Sequence, residues 1–213
     1  MGATLVGWSL FTTAGADVTS YRTGTGSVNN GAIYSFGAAA STERALGGVG
    51  SSAFSGYIAV ALKNASGGNY NSLTIKYDGE QWRNGGNITP QTMVLEYGFG
   101  STFATVSSWT QGGASFDFTS LQNTATAAAL DGNAAGNRTT GLGGVISSTW
   151  NSGDTLWIRW IENNDSGNDH GLAIDDFLIS ADAIPAVPEA STWYAGIGLS
   201  LGMLVSFVRK IRK

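Results

Sequence analysis

The clearest structural signal in the chain is the stretch at residues 155–161, which reads TLWIRWI. Leu156, Ile158 and Trp160 occupy alternate positions, and this period of two places them on one face of a β-strand with Trp157 on the other. Branched and aromatic side chains dominate the stretch, and such side chains favour strands. We therefore predict a strand with one face in a core, and we expect one of the two tryptophans to leave that core.

Other strand-like runs recur along the chain, separated by segments rich in Gly, Ser, Asn and Thr. Many short strands between turn-rich spacers are typical of sandwiches and jelly rolls. We predict an all-β, jelly-roll-like β-sandwich in which a short segment, residues 124–130, is the one candidate helix. The predicted strands are residues 32–36, 56–62, 72–77, 92–97, 114–118, 155–161 and 171–179, and the spacers include residues 47–52, 84–87, 141–144 and 163–168.

The composition excludes several classes of protein. The 213 residues include no Cys, so disulfide frameworks, thiolate zinc sites and Cys nucleophiles are excluded. Hydrophobic residues make up 42% of the chain, and seven Trp need burial, which argues against charge-driven disorder. Residues 1–182 carry seven basic and fourteen acidic side chains. An acidic body of this kind does not suit a nucleic-acid partner.

The C-terminal segment has the pattern of a membrane span. No charged residue lies between Glu189 and Arg209, and a helix of this length crosses roughly 28 Å, close to the hydrocarbon thickness of a bilayer. Trp193 and Tyr194 stand at one end, where interfacial aromatics belong. The alternative is a buried soluble helix. The basic cluster at the other end, expected to stop the span on the cytoplasmic side, is Arg209, Lys210, Arg212 and Lys213.

The residues before this span resemble a known sorting signal. Val187, Pro188, Glu189 and Ala190 precede Ser-Thr-Trp, the apolar stretch and the basic end, and this order resembles the PEP-CTERM signal of exosortase substrates. Ala190 stands where the family usually has a second Pro. The resemblance implies export across the inner membrane, anchoring by the tail, processing by an exosortase-type enzyme, and delivery to the cell surface or extracellular matrix.

Four segments follow from this interpretation. We predict an extracytoplasmic β-sandwich at residues 1–182, a linker with the sorting motif at 183–190, a single transmembrane helix at 191–208 and a basic cytoplasmic tail at 209–213. Residues 1–20 lack the basic and apolar regions of a signal peptide. Export therefore predicts a leader upstream of Met1, and the alternative is a cytoplasmic protein.

A second resemblance concerns the body. Residues 34–37, 41–47, 79–83 and 171–177 resemble segments of secreted bacterial sandwich domains. The Ala-Ile-Asp-Asp-Phe run within the last of these is also similar to the closing strand of MAM-type and carbohydrate-binding jelly rolls. This resemblance implies a surface role and leaves the activity open.

Late acidic residues make a calcium site conceivable. Asp165, Asp169 and Asp175 lie among several Asn residues, and Ca²⁺ prefers such oxygen ligands. Asp175 and Asp176 are adjacent, so a regular strand would point them to opposite faces. The alternative is a set of solvated loop carboxylates.

Trp82, Arg83 and Asn84 form the candidate ligand-binding group. An aromatic face beside amide and guanidinium groups suits stacking on a sugar ring and hydrogen bonding to its hydroxyls. The alternative is that Trp82 is a core residue, as most tryptophans largely are.

Candidates for catalysis are few. His170 is the sole His, and a local hydrogen-bonding role is favoured over that of a general base because no nucleophile motif accompanies it. Glu80, Glu96 and Glu162 are carboxylates from which a glycosidase pair could be drawn. We predict a non-enzymatic surface or matrix protein that needs no cofactor. The alternatives are a carbohydrate-binding module attached to surface polysaccharide and a small secreted hydrolase.

Overall fold

A computed structural model describes residues 5–183 and shows an all-β, sandwich-like fold of two sheets. This part of the chain contains no α-helix, and two 3₁₀ turns at Phe103–Thr105 and Ala114–Phe116 interrupt the strands. The strands are β1 (Trp8–Thr12), β2 (Arg22–Gly24), β3 (Ala32–Phe36), β4 (Ala45–Val49), β5 (Gly56–Lys63), β6 (Tyr70–Asn84), β7 (Thr92–Phe99), β8 (Thr110–Gln111), β9 (Phe118–Thr119), β10 (Ala128–Ala129), β11 (Arg138–Trp150), β12 (Thr155–Glu162) and β13 (Gly171–Ala183).

The front sheet has the order β1-β5-β12-β7-β8, with β9 also paired to β7. The back sheet has the order β10-β6-β13-β4-β3-β2, with β11 also paired to β6. All pairings are antiparallel except β2 with β3. Among the described strands β11 pairs with β6 alone, and two register shifts, at Thr139/Leu142 and Ser147/Trp150, interrupt that pairing.

The main core lies between the inner faces of the two sheets, and β12 supplies its centre. Leu156, Ile158 and Trp160 are fully buried there, as their alternation predicts. The Trp160 ring meets the Tyr77 ring of β6 edge to face, with centroids 5.4 Å apart. Trp157 leaves this core, as predicted for one of the two tryptophans, and is buried instead in a cluster on the outer face of the front sheet.

The back sheet carries an aromatic cluster on its outer face as well. Tyr34 stacks on Phe36 with ring centroids 5.0 Å apart, and Phe36 is nearly parallel to Trp82 at 6.1 Å. The segment 130–137 lies over this cluster. It is held there at its start, where the Leu130 N–H donates to the Trp82 carbonyl at 2.9 Å. The segment can pack this closely only because residue 132 is a glycine: a Cβ there would lie 2.3 Å from Trp82 Nε1.

Most predicted strands are present, but three predictions about local structure are wrong. Residues 114–118 form a 3₁₀ turn and only the start of β9, since Gly113 has a φ of 97° that breaks the extended chain. The spacers at 47–52 and 141–144 overlap β4 and β11, because glycines there allow close approach of strands: a Cβ on Gly47 would meet the Leu172 carbonyl. Residues 124–130 include β10 in place of a helix.

No helix among the described residues is long and apolar enough to cross a bilayer. The sorting motif, the predicted span at 191–208 and the basic tail lie outside the described residues. The strand β13 ends at Ala183, the last residue described.

Candidate functional site

Trp82, which the sequence offers as a sugar platform, lies inside the outer cluster of the back sheet. Its side chain is 1% exposed, with Phe36 nearly parallel to its ring. Its Nε1 donates a hydrogen bond to Glu80 Oε2 at 2.9 Å. The indole offers no open face on which a sugar could stack, so the predicted stacking role of Trp82 is corrected to a packing role.

Arg83 and Asn84, predicted beside Trp82 as ligand-binding residues, hold loops against β6. Arg83 Nη1 donates to the Gly26 carbonyl at 2.9 Å, and Asn84 Nδ2 donates to the Thr126 carbonyl at 2.8 Å. Both side chains are buried. Arg83 Nη1 and Asn84 Nδ2 are therefore committed to the protein's own backbone, while Arg83 Nε is buried without a hydrogen-bond partner, and both roles are structural.

Asp165 and Asp169, two of the three predicted calcium ligands, share one loop. The Asp165 backbone N–H donates to Asp169 Oδ1 at 2.8 Å. Both residues line a polar cavity of about 440 Å³, together with Asn164, Asn168 and Gly50. Burial raises the pKa of the Asp169 carboxyl, although the Asp165 N–H opposes this. The loop thus gathers two of the predicted ligands at one end of the sandwich.

Asp175, the third predicted calcium ligand, belongs to a different group on the outer side of the back sheet. One carboxylate oxygen each from Glu43, Glu80 and Asp175 lie within 4.8 Å of one another. Within residues 5–183 this is the only group of three or more acidic, His or Cys side chains close enough to share a metal ion. The prediction of one site from Asp165, Asp169 and Asp175 is therefore corrected, because the fold separates Asp175 from the loop.

The elements that carry the carboxylate cluster, defined as Glu43, Glu80 and Asp175, are neighbours in the back sheet. Glu80 lies on β6 with its side chain on the same face as Trp82, and Asp175 lies on the adjacent strand β13. Glu43 precedes β4, the strand on the other side of β13. Strand pairing therefore brings together residues that are far apart in the chain.

A bulge lets both aspartates of the Asp-Asp pair face this region. The register of β13 against β6 shifts between Asp175 and Leu178, and Asp176 has a φ of 49°. Alternation is lost at this point. Asp176 Oδ2 pairs with Arg138 Nη2 at 2.7 Å, while Asp175 joins the carboxylate cluster. The expectation that the two aspartates face opposite sides is wrong for this reason.

Arg138 of β11 is the main cation beside the cluster. Its Nη2 lies 2.6 Å from Asp78 Oδ2 as well as contacting Asp176, and its Nη1 lies 3.3 Å from Glu80 Oε1. The contact with Glu80 does not have hydrogen-bond geometry, so the buried Oε1 accepts no hydrogen bond. Glu43 Oε2 instead accepts a hydrogen bond from Asn133 Nδ2 at 2.6 Å. A single guanidinium therefore serves three carboxylates, two of them outside the cluster.

The pKa values of the cluster are set first by burial and then by the neighbouring charges. Burial raises the pKa of Glu80 to about 7; the Trp82 N–H and Arg138 oppose the rise, and Asp175 adds to it. Burial also raises the pKa of Asp175 to about 6, and nearby Glu43 adds to that rise. Both carboxyls thus hold protons more tightly than they would in water.

The remaining candidates for catalysis are held apart. Glu96 pairs with Arg159 on the outer face of the front sheet, and Glu162 is buried between the sheets. Burial raises the pKa of Glu162 well above its usual range, with Asp169 adding to the rise. Glu80 lies on the outer face of the back sheet, so these carboxyls do not form a glycosidase pair.

His170 is buried and has a structural role. Its backbone N–H donates to Gln91 Oε1 at 2.6 Å, and its Nδ1 accepts from the Gly85 N–H at 2.9 Å. Burial lowers the pKa of the imidazole, which favours the neutral ring. These contacts match the local hydrogen-bonding role favoured for this His.

Sequence reasoning did not group Glu43 and Glu80 with Asp175. The alternation along β6 does carry a partial signal, because Glu80 shares a face with Asp78 and Trp82. The pairing of β6, β13 and β4 supplies the rest, and such pairing is not visible in local patterns. No protein-family model matches the chain, and no curated protein matches it.

Proposed function

We propose that this chain is a non-enzymatic protein of the cell surface or exopolysaccharide matrix, exported and sorted by a PEP-CTERM-like tail. The observation that carries the proposal is the order at the C-terminus: Pro188-Glu189, an uncharged stretch, then Arg and Lys from Arg209 onward. An uncharged stretch of bilayer length with a basic end favours a membrane span with its basic side in the cytoplasm.

The proposal assigns a role to each segment. The jelly-roll-like sandwich of residues 1–182 would lie outside the cytoplasm, joined by the linker at 183–190 to a helix at 191–208 and a cytoplasmic tail at 209–213. The inner membrane and an exosortase-type enzyme are the proposed partners, and polysaccharide is a further one. An acidic body supports the exclusion of nucleic acid.

The side chains of the body support a role without catalysis. The buried side chains of His170 and Glu162 each accept a hydrogen bond from the protein's own backbone, and Glu96 forms a paired contact with Arg159. A catalytic acid or base must reach a substrate proton, and these groups face the interior or an internal partner. The carbohydrate-binding alternative also loses its aromatic platform, since Trp82 is buried.

Deletion of residues 188–213 tests the proposal. In a bacterial host without an exosortase, so that the tail stays uncleaved, and with a cleavable signal peptide added to both forms, we expect the full chain in the membrane fraction and the deleted form in the soluble periplasmic fraction. A control that replaces Ser147 with Ala should behave as the full chain does. Continued membrane association of the deleted form would contradict the tail assignment.

A further inference from the structure

We propose that Glu43, Glu80 and Asp175 bind a divalent cation, with Ca²⁺ as the ion that fits best. The proposal concerns the described body and does not depend on how the tail is sorted. It differs from the loop site predicted from Asp165 and Asp169, because its residues lie on β6, on β13 and just before β4 in the back sheet.

Charge is the first argument. Arg138 distributes its contacts over Asp78, Asp176 and Glu80. Glu43 and Asp175 have no ion pair among the contacts of the described residues. Glu43 and Asp175 lie close to Glu80, and Arg138 is shared between Glu80 and two other carboxylates. The cluster therefore keeps negative charge that a bound cation would neutralise.

The buried oxygen of Glu80 is the second argument. The Glu80 side chain has no solvent exposure, and its Oε1 accepts no hydrogen bond. A buried carboxylate oxygen without a hydrogen bond is costly unless another positive group meets it. Arg138 Nη1 at 3.3 Å meets this need only partly, because it is not aligned to donate.

Ligand spacing and ligand chemistry together favour Ca²⁺. Ligand oxygens bound to Ca²⁺ at about 2.4 Å lie at most about 4.8 Å apart when they are on opposite sides of the ion. The three oxygens of the cluster satisfy this limit, since all lie within 4.8 Å of one another. Mg²⁺ usually binds through one or two carboxylates and keeps several waters, so a group of three carboxylates favours Ca²⁺. Oxygen-only ligands also disfavour zinc, which takes N and S ligands readily.

Solvent reaches the cluster, because Glu43 is exposed. Asp175 and Asp176 line a cavity of about 260 Å³, with Arg44 and Trp8 on its walls. Asn133 does not supply a free ligand oxygen, because its Nδ2 donates to Glu43 and its Oδ1 accepts a hydrogen bond from Arg138 Nη1 at 3.3 Å. Water would complete the six to eight ligands that Ca²⁺ takes.

The test uses the full chain, purified in a mild detergent and freed of metal with a chelator. Calorimetric titration with CaCl₂ should show saturable binding, and a tenfold excess of CaCl₂ over the dissociation constant should raise Tm by roughly 3–6 °C. Glu43→Gln and Asp175→Asn should weaken binding at least tenfold. Glu43 is exposed, so its variant is expected to fold normally. Asp182→Asn, an exposed change on the same strand, is the matched control and should bind as the unmodified chain does.

A second measurement locates the ion. Trp82 Nε1 contacts Glu80 at 2.9 Å, so excitation of this indole should sensitise the luminescence of Tb³⁺ bound in place of Ca²⁺. Trp82→Phe should reduce the luminescence severalfold while calorimetry still detects CaCl₂ binding. No heat and no rise in Tm with CaCl₂ would overturn the proposal. A proton shared between the carboxylates would then account for their close approach. Loss of binding in Asp165→Asn, with Glu43→Gln unaffected, would place the ion in the loop cavity and would also overturn it.

Discussion

Glu80 is fully buried on β6, and its carboxyl lies beside those of Glu43 and Asp175. Burial favours its neutral form, and the pKa of about 7 follows from that. A carboxyl whose pKa is raised on folding stabilises the folded protein fully below its unfolded pKa. That stabilisation is lost as the pH rises through the folded pKa.

We therefore expect the free energy of unfolding, measured with urea in the presence of a chelator, to fall as pH rises from about 4.5 to about 7. Glu80→Gln should flatten this dependence, because Gln does not ionise and its Oε1 still accepts from Trp82. Asp175, with a pKa of about 6, leaves a residual fall of the same sign.

The control for this experiment is Asp182→Asn, which should keep the dependence of the unmodified chain. Equal pH dependence in Glu80→Gln and the unmodified chain would show that Glu80 does not titrate differently in the two states.

At the residue scale, the sequence was informative where a side chain obeys alternation. Leu156, Ile158 and Trp160 were predicted to share a face, and they are buried together in the main core. The burial of Trp82 was harder to predict, because β6 is buried on both faces near its end and a tryptophan there packs under a covering segment. A local pattern does not distinguish that position from an exposed platform.

At the scale of elements, β13 combines regular pairing with one irregular point. The strand pairs with β6 and β4, yet its register shifts after Asp175, where Asp176 takes a left-handed φ of 49°. Asp tolerates this conformation better than β-branched residues do. The irregular point is what directs two adjacent carboxylates toward the same region.

Substitution of Asp176 should separate backbone strain from charge. We expect Asp176→Gly to change the free energy of unfolding by less than about 1 kcal/mol, since the lost ion pair is exposed and the glycine relieves strain. Asp176→Val should cost about 1–2 kcal/mol. Ser180→Val, at an exposed position of the same strand, is the control and should be neutral. Urea denaturation measures all three, and equal effects of Val at both positions would contradict the strain argument.

Strand prediction from sequence succeeded where branched and aromatic residues dominate, as in β3, β5 and β12. Strand prediction failed for β4 and β11, because their glycines are typical of turn sequences. In the folded chain those glycines serve close packing, as at Gly47 beside β13, or bulges, as in β11. The carboxylate cluster was missed for a related reason: its members meet through pairing of strands, and local sequence does not encode the partners.

At the scale of the whole molecule, charge is distributed unequally between the body and the end of the chain. Residues 1–182 are acidic, and four of the eleven basic residues lie in the last five positions. This asymmetry is what the proposed orientation depends on, because positive flanks are retained on the cytoplasmic side.

Neutralising the basic end tests that orientation. With Arg209, Lys210, Arg212 and Lys213 all replaced by Gln, we expect less of the body to reach the periplasmic side of the membrane. The measurement is digestion of the body by protease added to spheroplasts. Neutralising three exposed basic residues of the body, Arg22, Lys63 and Lys76, is the control and should leave accessibility unchanged. Unaltered orientation without the basic end would contradict the assignment.

The interrupted pairing of β11 has a consequence for crowded surroundings. A long, flat edge strand is a template on which another copy can add its own strand, and such addition leads to fibrils. The two register shifts of β11 break that template into short pieces. The edge formed by β11 should therefore not support a shared backbone ladder between copies of this protein that are held densely side by side.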